Sequence, residues 1–557
     1  MKPRNRARIT LVPVVFVVAL MLFGGGAANA DYTFGELANL GPTVNSSARD
    51  EEPGLSADGL TIYYCSLRSG GSGNYDLWAI TRATTQAPWG TPVNLGSTVN
   101  SSSHDFSPDV SADGLSLYFG SDRPGGYGGY DIWVSRRDST EDPWGAPANL
   151  GPMVNTSEPE GCPAISDDGR EVYFWSGRAG GYGDADIWVA RRPTAQDDWG
   201  APENLGSAIN GSTTELCCDI TADNRCLVFV STRSGGYGGT YGDIWITTRR
   251  TIDDRWGPPM NAGPIVNSST TDNGPFLSVG GSTLYFSSER PGGSGGADMW
   301  QVSISPVVDF SGDGSVDGED LLIMAAHWGE VYPPCDIGPA PFGDGVVDLQ
   351  DVIVLAGYIG KEVNDPTLIA HWALDESEGT EALDSAGTYH GAVIGAPTWR
   401  PDGGKAGGAL EFDGATCVLT DSVLNPNAGP FSLLAWVKGG GPGQVIVSQA
   451  GGADWLLADP ATGALMTDLK ELTTRRPTAL HSSALITDGD WHRVGLVWDG
   501  ATRMLCVDGE QVAIDTQSDL PDSDGGLYLG CGHDALPGTF FTGLIDDMRI
   551  YNRAVAP

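Results

Sequence analysis

Apolar positions along this chain fall in short alternating runs, with few long apolar periods. Runs such as LSLYF at 115–119 and YDIWV at 130–134 are bounded by Gly-rich turns, a pattern that predicts short antiparallel strands. The runs recur. A D-x-W marker falls at Asp76, Asp131, Asp186, Asp243 and Asp298, in steps of 55, 55, 57 and 55 residues. A second marker, W-G-x-P-x-N-L-G or a close variant, has its aromatic at Phe34, Trp89, Trp144, Trp199 and Trp256. A period of this size, at about four strands per unit, predicts the blades of a β-propeller.

The order of the markers predicts how the array ends. The chain opens with a lone FGELANLG before any D-x-W, and nothing like it follows Asp298. An open array would leave the last blade with a bare edge of unpaired backbone groups. The N-terminal segment is therefore expected to join the fifth blade as its outer strand and close one ring of five.

Each repeat also carries an acid and an Arg at fixed places. The acids are Asp50, Asp105, Glu160, Glu215 and Asp272, and the cations Arg68, Arg123, Arg178, Arg233 and Arg290. Between them lies a turn such as Asp58-Gly59, which favours a two-residue hairpin. The index sum of acid and Arg exceeds that of the turn by one in blades one, two and five, so the pair is expected to meet across or diagonally between strands. Two readings stay open: five structural salt bridges, or an acidic ring at the channel mouth that takes a cation, a basic peptide or a sugar. A catalytic site would need one blade to depart from the rest. Only blade four does so strongly, with TELCCDITADN, read here as gaining neither acid nor base.

The repeat S-x-D-G-x-x-L-Y-F-x-S-x-R resembles the WD40-like repeats of TolB-type propellers over about residues 31–305. That resemblance implies a binding platform.

After Ser305 the repeat stops. In DFSGDGSVDGED, Asp309, Ser311, Asp313, Ser315, Asp317 and Asp320 stand at positions 1, 3, 5, 7, 9 and 12 of a calcium loop, with Gly314 at the sharp turn. A second copy puts Asp344, Val346, Asp348 and Asp351 at positions 5, 7, 9 and 12. There Ala340 and Phe342 stand where ligands belong, and Asp336 substitutes if extra residues loop out. Two such loops, each running into a short helix with Asp at position 12, resemble a type I dockerin over about Val307 to Lys361. The resemblance implies Ca2+ as cofactor and a cohesin-like domain as partner. The cohesin-facing positions that carry Ser or Thr in that family are Gly318, Glu319, Leu349 and Gln350 here.

From Leu368 onward, alternating runs bounded by D-G and G-G turns predict an antiparallel jelly-roll sandwich. Strings such as GGALEFDG and FTGLIDDMRIYNRAV resemble LamG-like, concanavalin-type domains, which bind glycans or proteins, often with one calcium. By that resemblance Asp384, Asp413 and Asp546 are candidate ligands; turn-capping is their other reading. No E-x-D-x-E pair of the kind sandwich glycosidases align on one strand occurs, and His371, His481, His492 and His533 lie in separate segments.

Charge and cysteines narrow the partners. Against 31 Lys and Arg stand 71 Asp and Glu, a net charge of -40 that repels nucleic acid and anionic membranes. The basic MKPRNRAR, the apolar run from Ile9 to Phe23 and AANA read as a cleaved signal peptide over residues 1–30, with no membrane span left afterwards. Nine Cys in an exported chain permit disulfides, and their pairing is not legible in the spacing; the lack of His partners argues against zinc.

The expected fold is mainly β: a five-bladed propeller (31–305), a small α calcium-loop module (306–362) and a jelly-roll sandwich (363–557). No catalytic residue is assigned. The expected function is recognition of an extracellular glycan or surface protein by a secreted or surface chain. The alternatives are a polysaccharide-degrading component and a structural surface protein.

Overall fold

A computed structural model describes residues 32–238, 242–311, 315–330, 332–339, 341–360, 365, 367–470, 479–517 and 520–555. The expected leader and Asp313 lie outside them. The fold is mainly β, with five propeller blades followed by a two-sheet sandwich. Each blade is an antiparallel sheet; the second, for example, runs Asp105–Val110, Ser116–Ser121, Asp131–Arg136 and Ala148–Asn149 from inside to outside.

The ring is closed by the first described residues. Tyr32–Phe34 and Ala38–Asn39 both pair with Asp298–Pro306, with Phe34 opposite Ile304 and Asn39 opposite Trp300. A buried Asn seals this junction as it seals the others. Asn45 accepts from Met299 N (2.8 Å) and donates to Met299 O (3.0 Å); Asn100 does the same with Leu77, at 2.8 and 3.0 Å. The side-chain amide extends the outer strand by one pair of backbone-like bonds, which satisfies the backbone N–H and C=O of Met299. The D-x-W tryptophans are buried between blades, and an Arg guanidinium stacks on each of them, as Arg123 does on Trp133 at 5.3 Å.

Between propeller and sandwich, two short helices, Gly318–Ala326 and Leu349–Ala356, pack over Val308, Phe310, Val316, Met324, Ile337, Val347 and Leu355. The two halves exchange backbone bonds, Gly329 N to Val347 O (2.8 Å) and Gly360 N to Val316 O (2.9 Å). Phe342, which occupies a calcium-loop position in the sequence, is instead packed edge-on against Tyr32 of the closing strand at 5.3 Å. The sandwich is two eight-stranded antiparallel sheets around Trp372, Phe431, Trp455, Leu496 and Ile545. Among the described residues no helix is long and apolar enough to cross a membrane.

Phe34 sits in the seam, nearly buried, within a core that includes Val302 and Ile304. Phe34→Ala should lower propeller stability by about 3 kcal/mol in denaturant unfolding followed by Trp fluorescence. An unchanged midpoint would mean the closing strand contributes nothing.

Candidate functional site

The five repeated acids are all fully buried, and each meets its repeat's Arg. Asp105 is representative. One oxygen accepts from Ser121 Oγ (2.7 Å) and Arg123 Nη2 (2.5 Å); the other accepts from Ser101 N (2.6 Å) and Ser101 Oγ (3.0 Å). Arg123 also donates to Val99 O at 2.7 Å. The unit is a strut that ties two strands to the incoming loop, and no carboxylate faces solvent. Acid and Arg meet diagonally, one of the two arrangements expected. Asp105 lies opposite Ser121, because each inner strand loses register just after its second residue, and Arg123 reaches back diagonally.

That register shift creates the channel lining. The residue after it has positive φ in every blade: Glu52 (55°), Ser107 (48°), Cys162 (47°), Cys217 (32°) and Gly274 (57°). Such bulges bend a strand and re-aim a side chain, here toward the propeller axis. Glu52 accepts from Ser107 Oγ (2.6 Å) and Asn273 Nδ2 (3.2 Å), and Cys162 and Cys217 form a disulfide across adjacent blades. The pair is 55 residues apart, one repeat, a signal present in the sequence and not used there. Of Cys217, Cys218 and Cys226, which have no His partner and no two-plus-two pattern for zinc, Cys217 meets Cys162 and Glu52 here, with the two sulfurs bonded to each other.

Asp109 and Asp219 line the same axis, nearly buried, accepting from Ile165 N (2.6 Å) and Leu277 N (2.7 Å). The fourth blade therefore does bring an acid to the centre, contrary to the sequence reading. The signal was the position four residues past each strut acid: Gly54, Asp109, Ala164, Asp219 and Phe276. Burial pushes Asp109 up to about 7; burial and then the charge on Asp109 push Asp219 well above its ordinary value. The cavity they share is about 30 Å³, room for one water, so the axis is plugged.

Variation gathers at the propeller end where the inner strands begin. Blades one, two and three contribute Tyr75, His104, Phe106, Tyr130 and Trp175. Tyr130 packs on Phe106 (5.0 Å) and His104 (6.2 Å), and His104 is itself 6.1 Å from Tyr75. His104 Nδ1 lies 3.2 Å from Asp122 Oδ2, and Arg49 bridges Glu51 (2.7 Å) and Glu289 (2.6 Å). The equivalents of Tyr75 and Tyr130 in blades three and five are Ala185 and Ala297. This mouth is asymmetric, aromatic on one side and ionic on the other. A second opening, about 790 Å³ between blades two and three, is lined by Asp113, Arg136, Met153, Asp167, Asp168 and Asp197.

In the first calcium loop Asp309, Ser311 and Asp320 are buried together, while Ser315 and Asp317 lie exposed at its rim. Ser311 N and Asp317 N each donate to Asp320, at 2.9 Å. In the second, Ala340 lies outside the described residues, and the oxygens of Asp336 accept from Asp344 N (2.7 Å) and Gly345 N (2.6 Å). Asp351 accepts from Ile337, Gly338 and Asp348 N, Asp348 caps the helix through Gln350 N (2.7 Å), and Val346 N donates to Asp344 Oδ1 (3.3 Å). Burial and the charges of Asp351 and Asp344 push Asp336 up to about 6. Carboxylate and hydroxyl oxygens are the donor type that Ca2+ takes, but among the described residues the acids of neither loop bring three oxygens together.

In the sandwich the three candidate ligands do not converge. Asp384 accepts from His371, Ala386 and Tyr389 N, and Asp413 from Ala415 and Thr416 N; both cap turns. Asp546 is fully buried, and its Oδ1 has no hydrogen-bond partner. Burial and the charges of Asp547 and Asp375 push it up to about 6, which favours its protonated form. His371, His481, His492 and His533 each pair with an Asp in a separate place.

The strand pattern of this last module has a counterpart among known families: residues 412–557 match Laminin_G_3, described as the concanavalin A-like lectin/glucanases superfamily. Residues 412–557 are a concanavalin A-like domain. Among curated proteins none matches the chain. Three solved structures are similar to it at low identity. A mutant of Trypanosoma rangeli sialidase displaying trans-sialidase activity is 13% identical, covers 95% of this chain and 97% of that one, and has a TM-score of 0.35. Domain 4 of AbnA, a GH43 extracellular arabinanase from Geobacillus stearothermophilus, in complex with arabinotriose, is 19% identical over 34% of this chain and 94% of that one, TM-score 0.25. The binding domain of Paraclostridial Mosquitocidal Protein 1 is 13% identical over 34% and 50%, TM-score 0.29.

Two outcomes follow from these sites. Asp105→Ala leaves Arg123 buried without its partner and should cost about 3 kcal/mol of propeller stability in denaturant titration. Because Asp109 is raised, the folded chain keeps a proton that the unfolded chain releases first. Asp109's contribution to stability is then complete below about pH 4 and is lost as pH rises through about 7. Asp109→Asn should remove Asp109's share of the slope in denaturant titrations between about pH 5 and 8, while Asp219, Asp336 and Asp546 keep theirs; an unchanged slope would place the titration elsewhere.

Proposed function

We propose that the chain is an exported, calcium-dependent binding protein that recognises extracellular polysaccharide or a surface protein without chemically changing it. The observation that carries the reading is the concanavalin A-like domain joined to a closed propeller. A plugged axis and an aromatic-and-ionic mouth suit a docking platform better than a reaction chamber. Aromatic side chains offer flat apolar faces with polar edges, the surface on which a sugar ring or a peptide is held.

Calcium is the cofactor of this reading. Asp309, Ser311, Asp317 and Asp320 would hold one ion, and Asp336, Asp344, Val346, Asp348 and Asp351 a second. Its role is to neutralise the carboxylates of the two loops, worth about 1–3 kcal/mol at millimolar supply. The leader at residues 1–30 supports export, and the type I dockerin resemblance supports a cohesin-like partner. Net charge of -40 makes nucleic acid an unsuitable ligand.

A glycan array read beside reducing-sugar release tests the reading. Binding without release is expected; release would put a glycosidase in its place, and neither outcome on glycans or cell surfaces would leave a structural protein. Adding EGTA should lower the melting temperature of the calcium-loop module by several degrees, restored by Ca2+. A calcium-independent melt would remove the cofactor from the account.

A further inference from the structure

The connection between the second and third strands of each blade ends at the D-x-W aspartate. In blades two, three and four it carries Tyr127, Tyr182 and Tyr237, whose side chains are 52%, 54% and 51% exposed. The described residues of these loops are hydrogen-bonded to that aspartate. Asp131 accepts from Tyr127 N (2.6 Å), Gly128 N (3.1 Å) and Asn149 Nδ2 (2.8 Å). Asp186 and Asp243 repeat the arrangement with Tyr182 and Tyr237 N, both at 2.6 Å. Gly125, Gly180 and Gly235 stand at φ near 100° over the buried Trp of the same blade, where a side chain would strain the turn.

Blades one and five build the same loop without the ring. Ser72 and Ser294 take the tyrosine positions, and their backbone N–H groups donate to Asp76 and Asp298 in the same way. The fold therefore does not need an aromatic there. Three rings held half out of solvent on consecutive blades are an apolar surface that packing does not account for.

These loops share an end of the propeller with the asymmetric mouth. Gly128 abuts the carbonyls of Thr156 and Glu158, on the segment that leads into Glu160, and Gly183 abuts that of Thr213. The rings thus form an arc beside His104, Tyr130 and Trp175. We propose that Tyr127, Tyr182 and Tyr237 are successive stacking platforms for one linear, uncharged polysaccharide. The inference rests on the glycan reading above and names its ligand class. Three like platforms at equal sequence steps of 55 suit a polymer that presents the same flat face at intervals. Exposed Glu158 and Asp184 beside the arc, with a net charge of -40, set it against anionic chains.

The substitution that tests this is supplied by the other blades: Tyr127→Ser, Tyr182→Ser and Tyr237→Ser, singly and together, in the full-length protein. Calorimetry with neutral β-1,4-linked glucan and xylan oligosaccharides of increasing length, and with polygalacturonate, gives the readout. Each single change should weaken binding about three- to tenfold and the triple change about a hundredfold or more, with an unchanged melting temperature. Affinity should rise with chain length in the wild type and cease to do so in the triple variant. A triple variant with wild-type affinity and length dependence overturns the arc and leaves the glycan reading standing. Tighter binding of polygalacturonate overturns the uncharged class. Wild-type protein that binds no glycan removes the reading on which the arc rests.

Discussion

The pairing of Tyr32–Phe34 and Ala38–Asn39 with Asp298–Pro306 is the constraint on which the rest of the propeller depends. Five wedges leave two edges unless the first and last residues of the array share a sheet, and unpaired edge strands are costly and adhesive. Asn45 completes the seam with the same two bonds to Met299 that Asn100 makes to Leu77. With the ring shut, the inner strands converge, and five carboxylates must be buried near one another. Each is neutralised within its own blade by an Arg, so repulsion around the ring does not accumulate.

A framework held this way frees the positions it does not use. Struts, Asn seals and interblade tryptophans are near-identical in every blade, whereas the residues one, two and four places past each strut acid vary from blade to blade. The bulge after the strut acid turns those differences inward, as a disulfide, a satisfied Glu52 and the Asp109–Asp219 pair that close the axis. The differences at the strand starts and in the following loops are left facing outward. Shape is thus set by what repeats, and recognition is left to what does not.

Much of this was legible in the sequence because a repeat is its own alignment. The blade count, the seam and the meeting of Asp105 with Arg123 follow from marker spacing and hairpin arithmetic. The bulge did not, since counting from a turn assumes an unbroken ladder, and one shifted residue moved the acid opposite Ser121. With the bulge unseen, the inward turn of Cys162, Cys217 and Glu52 was hidden, and Asp219 passed as part of a divergent stretch. In the second calcium loop, Asp336 was named as the substitute, whereas the fate of Phe342 depended on Tyr32, some three hundred residues away in the chain. In the sandwich, equal turn-capping roles for Asp384 and Asp413 left only Asp546 with an oxygen to spare.

The central claim is that variable, outward-facing positions at one end of a closed propeller carry recognition. Hydroxyl-radical footprinting of the full-length protein, with and without the polysaccharide it retains, reads it most directly. The account predicts that oxidation of Tyr127, Tyr182, Tyr237, Tyr130 and Trp175 falls on binding, while Trp89 and Tyr358 are unaffected. Protection confined to other surfaces of the propeller, with these five side chains oxidised as in the free protein, would contradict it.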